Sequence, residues 1–178
     1  MTEQERFNYA LGILMEHEGG FSNHKSDPGG ITKYGISLRY LKDQGIDIDL
    51  DGDVDSDDIR KMTFKDAASI YKEYWWDKYK YTLIHELQVA TKIFDLAVNM
   101  GAPAAHKIAQ KAINDLITKP ITVDGVIGDK TRSYLNSLPA DDVMDNIRSL
   151  AAKKYESIAA HNPKLLCFLR GWLLRADW

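Results

Sequence analysis

The chain has 178 residues, 44% of them hydrophobic and 28% charged, which is enough for one core or a main lobe with a small companion. Its single cysteine, Cys167, excludes an internal disulfide, so the fold owes nothing to an oxidising compartment. The net charge of −3 hides seven aspartates within residues 47–58; without them the rest of the chain carries +4, which suits an anionic polymer but is too weak a bias for nucleic acid.

Thr2 and Glu5 have capping-box spacing, and Phe7, Ala10, Leu11 and Leu14 follow at helical intervals, so a first helix is expected to reach residues 16–17. The start, Met1-Thr2-Glu3-Gln4-Glu5-Arg6, is polar and is not a secretory signal. Glu18 falls at or just past the end of this helix. Two glycine pairs, Gly19-Gly20 and Gly29-Gly30, flank the next segment. Four glycines cost entropy, and they suit a backbone that bends tightly or lets something large come close. A lone acid beside such a backbone is a candidate proton donor. Residues 19–35 are expected to form a loop or short hairpin, and Ile36 to Gln44 a short helix closed by Gly45.

Thr63 and Asp66 open a further helix that carries Ala67, Ile70, Tyr71, Tyr74 and Trp75. Residues 86–100 read as a strongly apolar helix, 102–116 as another, and 123–128 as a turn with two glycines. A short helix begins at Asp129 or Lys130. Two more occupy 140–161 and 163–176, broken at Asn162-Pro163. No β-alternating run, repeat or membrane-length apolar run occurs, so the chain reads as mainly α. Cys167, within Leu165-Leu166-Cys167-Phe168-Leu169, is expected to be a buried, inert thiol.

Residues 47–58 match a twelve-residue calcium loop. Asp47, Asp49 and Asp51 take positions 1, 3 and 5, Gly52 the sharp turn at 6, and Asp53 position 7 through its carbonyl. Asp55 stands at position 9 and Asp58 at 12, where an Asp replaces the usual Glu, as in dockerin-type loops. Seven like charges repel without a cation, so Ca2+ in a structural role is expected here. A solvated acidic turn is the plainer alternative.

The segments Glu18-Gly19-Gly20-Phe21 and Asp27-Pro28-Gly29-Gly30-Ile31-Thr32-Lys33-Tyr34-Gly35-Ile36 resemble glycoside hydrolase family 108. These are lysozyme-like muramidases of bacteriophage endolysins and bacterial relatives. The likeness extends through Ile70-Tyr71-x-x-Tyr74-Trp75 and Phe94-Asp95-x-x-Val98-Asn99-x-Gly101. Residues 123–131 resemble the start of the peptidoglycan-binding region that usually follows, and 168–175 its end. Phe21 departs from the family's Tyr. The resemblance implies a lysozyme-like helical fold with a glycine-rich loop or hairpin lobe. It implies a catalytic part at 1–100, with the calcium loop inserted, and a helical peptidoglycan-binding-like part at 101–178, the two packed as one unit.

The implied activity is hydrolysis of the β-1,4 bond between N-acetylmuramic acid and N-acetylglucosamine, with Glu18 as general acid. Eight residues separate Glu18 from Asp27, as in phage-type lysozymes, whereas four separate Asp27 from Thr32, one fewer than usual. On this resemblance Asp27 orients water or stabilises charge at the sugar, Thr32 holds a nucleophilic water, and Tyr34, Trp75 and Asn99 contact substrate. Plainer roles stand beside these: Asp27 starting a turn, Trp75 and Trp76 packing, and Asp95 and Asn99 bridging helices at i, i+4. A lytic transglycosylase, a non-catalytic calcium-dependent wall-binding protein, and a zinc peptidase on His17, His24 and Asp27 are the competing classes. No organic cofactor is implied. The expected partner is bacterial peptidoglycan, met by a monomer released from the host cytoplasm through a holin. The basic-aromatic stretch Arg170-Gly171-Trp172-Leu173-Leu174-Arg175 packs on the core or touches outer-membrane lipopolysaccharide.

Overall fold

The computed structural model describes residues 1–18 and 31–178 and, of Glu18, the backbone. The glycine-rich segment 19–30, with Asp27 and His24, lies outside the described residues. The chain divides into two compact units: Leu11–Tyr74, and Met1–Ala10 together with Trp75–Trp178.

Helix α1 (Glu3–Glu18) starts on the anticipated capping box. The Thr2 amide donates to Glu5 Oε2 at 2.7 Å, and the Glu5 amide to Thr2 Oγ1 at 3.2 Å. Its apolar stripe, Phe7, Ala10, Leu11 and Leu14, is buried. In the unit Leu11–Tyr74, β1 (Thr32–Lys33) and β2 (Ile36–Ser37) form an antiparallel hairpin. Helix α2 (Leu38–Gln44) therefore begins two residues later than its pattern suggested. Ile36 is taken by the strand, and Ser37 becomes the cap, accepting from the Tyr40 amide. Gly45 closes α2 in the left-handed region at φ +66°, as expected. Helix α3 (Ser56–Lys61) was not anticipated: Asp55 caps it, and Asp58 completes a capping box from inside the acidic run. Helix α4 (Phe64–Tyr71) has the anticipated Thr63–Asp66 box. Beyond it, Lys72–Asp77 widens into a π-helical turn.

In the other unit, helix α5 (Leu87–Met100) is buried without interruption from Val89 to Ala97. Phe7, Trp76, Tyr81 and Phe94 pack edge to face around it, with Trp76 and Phe94 at 5.5 Å and Phe7 and Trp76 at 5.9 Å. Helix α6 (Ala102–Asn114) lies on α5, and α8 (Ala140–His161) on both, while α7 (Asp129–Ser137) contacts α6 and α8. Helix α9 (Leu166–Asp177) lies along α8. Trp172 stacks on Tyr155 at 5.3 Å, and buried Arg175 faces Asp95 at 3.5 Å. The basic-aromatic stretch thus docks on the core. The same rotation turns Cys167 outward: the thiol is exposed, not buried, because Trp172, Arg175 and Ala176 occupy the inner face. No helix among the described residues is long and apolar enough to cross a membrane.

His106 fastens the 123–128 turn to α6. Its Nδ1 donates to the Gly125 carbonyl (2.9 Å), which leaves Nε2 to accept from the Tyr81 hydroxyl (2.7 Å). Burial lowers the imidazole pKa, opposed in part by the Gly125 bond. A base whose folded pKa is depressed binds fewer protons folded than unfolded, so stability falls as pH drops below about 6.5. Replacing His106 with Gln should cost about 2 kcal/mol at pH 7.5 by leaving buried partners unmatched. Urea titrations should show the gap between wild type and H106Q narrowing as pH is lowered from 6.5 to 5; a constant gap contradicts the assignment.

Candidate functional site

Thr32 and Tyr34 belong to the hairpin. Lys33 pairs with Ile36 and Thr32 with Ser37, leaving Tyr34-Gly35 as a two-residue turn. Both turn residues have positive φ, +52° and +79°, the pattern of a type I′ turn. Gly35 adopts this freely, whereas Tyr34 is held in a conformation that costs a residue with a side chain of order 1 kcal/mol. Contacts from its neighbours hold it. The Tyr71 hydroxyl donates to the Tyr34 carbonyl at 2.9 Å, and the Tyr34 ring meets Phe64 edge-on at 5.8 Å. Lys33 Nζ lies 5.7 Å from the centre of the Tyr34 ring and donates to the Arg60 carbonyl at 2.7 Å, tying the turn to the end of α3. Thr32 is half-buried in β1.

Glu18 is the last residue of α1. Trp75 is half-buried and its neighbour Trp76 fully buried, so Trp75 is the outward member of the pair. In α5, Asn99 Oδ1 accepts from the Tyr155 hydroxyl at 2.7 Å, and Asp95 pairs with Arg175. These bonds join α5 to α8 and to α9.

The acidic run folds back on itself. Carboxylate oxygens of Asp47, Asp49 and Asp58 lie within 4.8 Å of one another, and those of Asp53, Asp55 and Asp58 form a second such group. Asp58 belongs to both and is buried, its oxygens accepting from the Ile48 and Asp55 amides at 2.6 and 2.7 Å. Asp47 accepts from Leu50 and Gly52, and Gly52 turns the chain at φ +101°. Asp51 joins neither group; its Oδ1 accepts from the Asp53 amide. Asp49 pairs with Lys61 through Oδ2, while its Oδ1 is buried with no hydrogen-bond partner among the described residues. The carboxylates of Asp51, Asp55 and Asp58 push the Asp53 pKa upward. The donor set, all hard oxygens with one orphaned and buried, fits a calcium ion. Helix α3 and the Lys61 pairing do not show in the sequence, because the aspartates that cap and pair there also fit the positions of a metal loop.

Residues 11–101 match the family model described as Glycosyl hydrolase 108. The chain belongs to this family. Residues 104–177 match the Predicted Peptidoglycan domain. The boundary falls where α5 ends and Gly101, at φ +89°, turns the chain into α6. This member of glycosyl hydrolase family 108 is also similar to a solved protein, Brucella abortus SagA. The two are 25% identical with a TM-score of 0.77, over 98% of this chain and 91% of the other. A search of curated proteins finds no match. The chain is thus a mainly helical, lysozyme-like glycosyl hydrolase with a peptidoglycan domain behind it.

Within the family match, Tyr71 and the strained turn make a direct test. Tyr71→Phe removes the hydroxyl that donates to the Tyr34 carbonyl and keeps the ring. It should lower unfolding free energy by about 1 kcal/mol in urea titration. No loss would show that the turn holds its conformation without Tyr71.

Proposed function

We propose that the protein is an endo-muramidase of the endolysin kind, cleaving the β-1,4 bond between N-acetylmuramic acid and N-acetylglucosamine, with Glu18 as general acid. The observation that carries this reading is the glycosyl hydrolase 108 match over 11–101, which contains Glu18, joined to a peptidoglycan domain match over 104–177.

Splitting a glycosidic bond needs a carboxylic acid still protonated near neutral pH beside the leaving oxygen. A Glu at the C-terminal end of α1 sits at the negative end of the helix dipole, which favours the protonated form. In this reading Asp27 orients water or stabilises positive charge on the sugar, and Thr32 holds the attacking water. Tyr34, Trp75 and Asn99 contact the glycan. The strain at Tyr34 supports its inclusion, since unfavourable backbone conformations persist where function asks for them. The protein works as a monomer on the wall after release from the cytoplasm.

Glu18→Gln keeps the shape of the side chain and removes the proton. It should reduce release of reducing ends from purified peptidoglycan by about a thousandfold or more with an unchanged melting temperature. A variant that clears wall suspensions at the wild-type rate would refute the general-acid role. Mass spectrometry of the wild-type products should show hydrated muramic acid ends; 1,6-anhydro ends would make the enzyme a transglycosylase instead.

Calcium at residues 47–58 is the second part of the proposal. Asp47, Asp49, Asp53, Asp55 and Asp58 would hold it, with Asp51 swinging in from its present bond to the Asp53 amide. The ion would supply fixed positive charge to a loop whose carboxylates repel one another, and takes no part in the chemistry. A ligand bound only by the folded state raises stability with its concentration. Chelation should therefore lower the melting temperature by several degrees, with recovery on adding Ca2+ but not Mg2+ at equal concentration. Identical melting curves with chelator and with Ca2+ would refute the site.

A further inference from the structure

A groove of about 520 Å3 runs between α6 and α8. Four lysines line it: Lys107 and Lys111 one turn apart on α6, and Lys153 and Lys154 side by side on α8. No acid is among its lining residues. Ile108 and Leu150 contribute an apolar floor between the two cationic rows. Lys107 also acts on Asp124, but that carboxylate already accepts from Gln110 Nε2 at 2.7 Å and the Val126 amide at 2.8 Å. Lys107 lies along the Gly125 backbone, its Cε about 3.3 Å from where a Cβ would stand, so this side chain is laid down in place.

Four ammonium groups around one concavity repel one another and raise the local positive potential. Packing does not call for four positive charges here: all four side chains are exposed, and any long polar side chain would cover the same helix faces. The groove lies almost wholly within the span matching the Predicted Peptidoglycan domain. We propose that it binds the carboxylate-bearing stem peptides of peptidoglycan, an inference that rests on the peptidoglycan reading of the protein. The unmodified glycan backbone is uncharged once the lactyl carboxyl is in amide linkage. The stem peptides carry the polymer's free carboxylates and, between them, alanine methyl groups. Carboxylates meet the lysine rows and methyl groups the Ile108–Leu150 floor. A phosphate-rich wall polymer would satisfy the charges and leave the floor without a partner.

The test uses the full chain and a soluble stem tetrapeptide, which a glycosidase does not consume. Binding is measured by calorimetry at low salt. Wild type and the control Lys119→Glu, outside the groove, should bind it; the double variant Lys107→Glu/Lys153→Glu should bind at least tenfold more weakly. A tetrapeptide with its carboxylates converted to amides should lose affinity to the same degree. Melting curves verify folding, and if the double reversal fails to fold, the neutral pair Lys107→Gln/Lys153→Gln gives the same readout. The proposal is overturned if the variants bind like wild type, if the amide peptide binds equally well, or if wild type prefers a teichoic acid polymer to the peptide. Turnover on intact peptidoglycan is scored separately. Peptide binding without turnover removes the muramidase reading and leaves the groove, whereas turnover with lysine-independent binding removes the groove alone.

Discussion

Burial of α5 on every side is the constraint on which the larger unit depends. From Val89 to Ala97 no position reaches water, yet Thr91, Lys92 and Asp95 fall in that stretch. A buried charge without partners would cost several kcal/mol. α9 meets the requirement from outside the helix. Lys92 Nζ donates to the Arg175 and Ala176 carbonyls at 2.5 and 2.9 Å and lies 5.4 Å from the centre of the Trp178 ring. Those carbonyls end a helix and have no intrahelical donor, so one ammonium group satisfies two orphaned acceptors and the negative end of a dipole. Burial holds the Lys92 pKa down to about 8, against the upward pull of Asp95, so the amine still carries its proton at neutral pH. Asp95 in turn receives Arg175. Arg175 and the last carbonyls of α9 are therefore fasteners, and the peptidoglycan domain is anchored through them to the last helix of the glycosidase match.

This arrangement explains which parts of the fold the sequence made legible. Local signals were read correctly where they compete with nothing: the Thr2–Glu5 and Thr63–Asp66 boxes, Gly45 as a stop, and the 3.6-residue stripes of α1 and α5. They failed where one residue could serve two purposes. Ile36 fits a helix or a strand, and pairing with Lys33 decided it. Asp55 and Asp58 fit a metal loop and also form a capping box, so the loop pattern concealed the start of α3. Cys167 sits in an apolar run that reads as interior, but α9 turns Trp172, Arg175 and Ala176 inward, which leaves Leu166, Phe168 and Leu174 exposed beside it. Asn99 and Asp95 stand in a motif visible in the sequence, while their partners Tyr155 and Arg175 lie 56 and 80 residues away, a separation that no periodicity reveals. The lysine groove was hidden for the same reason. Each row is visible in sequence, but only the packing of α6 on α8 makes two rows a concavity.

The two units are stabilised by different means. The unit Met1–Ala10 with Trp75–Trp178 rests on area: an aromatic cluster, a wholly buried helix, and helix pairs along their length. The unit Leu11–Tyr74 has short helices of six to eight residues after α1 and a two-residue-strand hairpin. It relies on caps, turns and carboxylate bonds to backbone amides, each worth about 1 kcal/mol. Among the described residues it also contains two of the three non-glycine residues with positive φ, Tyr34 and Leu50.

A region held by many small local bonds opens at lower free energy than a packed core. Protein segments that must admit a bulky polymer are drawn from that end of the scale. The family match that makes this chain a glycosidase includes the whole of the locally held unit. A divalent ion at residues 47–58 would then have a physical purpose apart from chemistry. It would add the free energy of several oxygen–metal bonds to a unit that relies on short local hydrogen bonds.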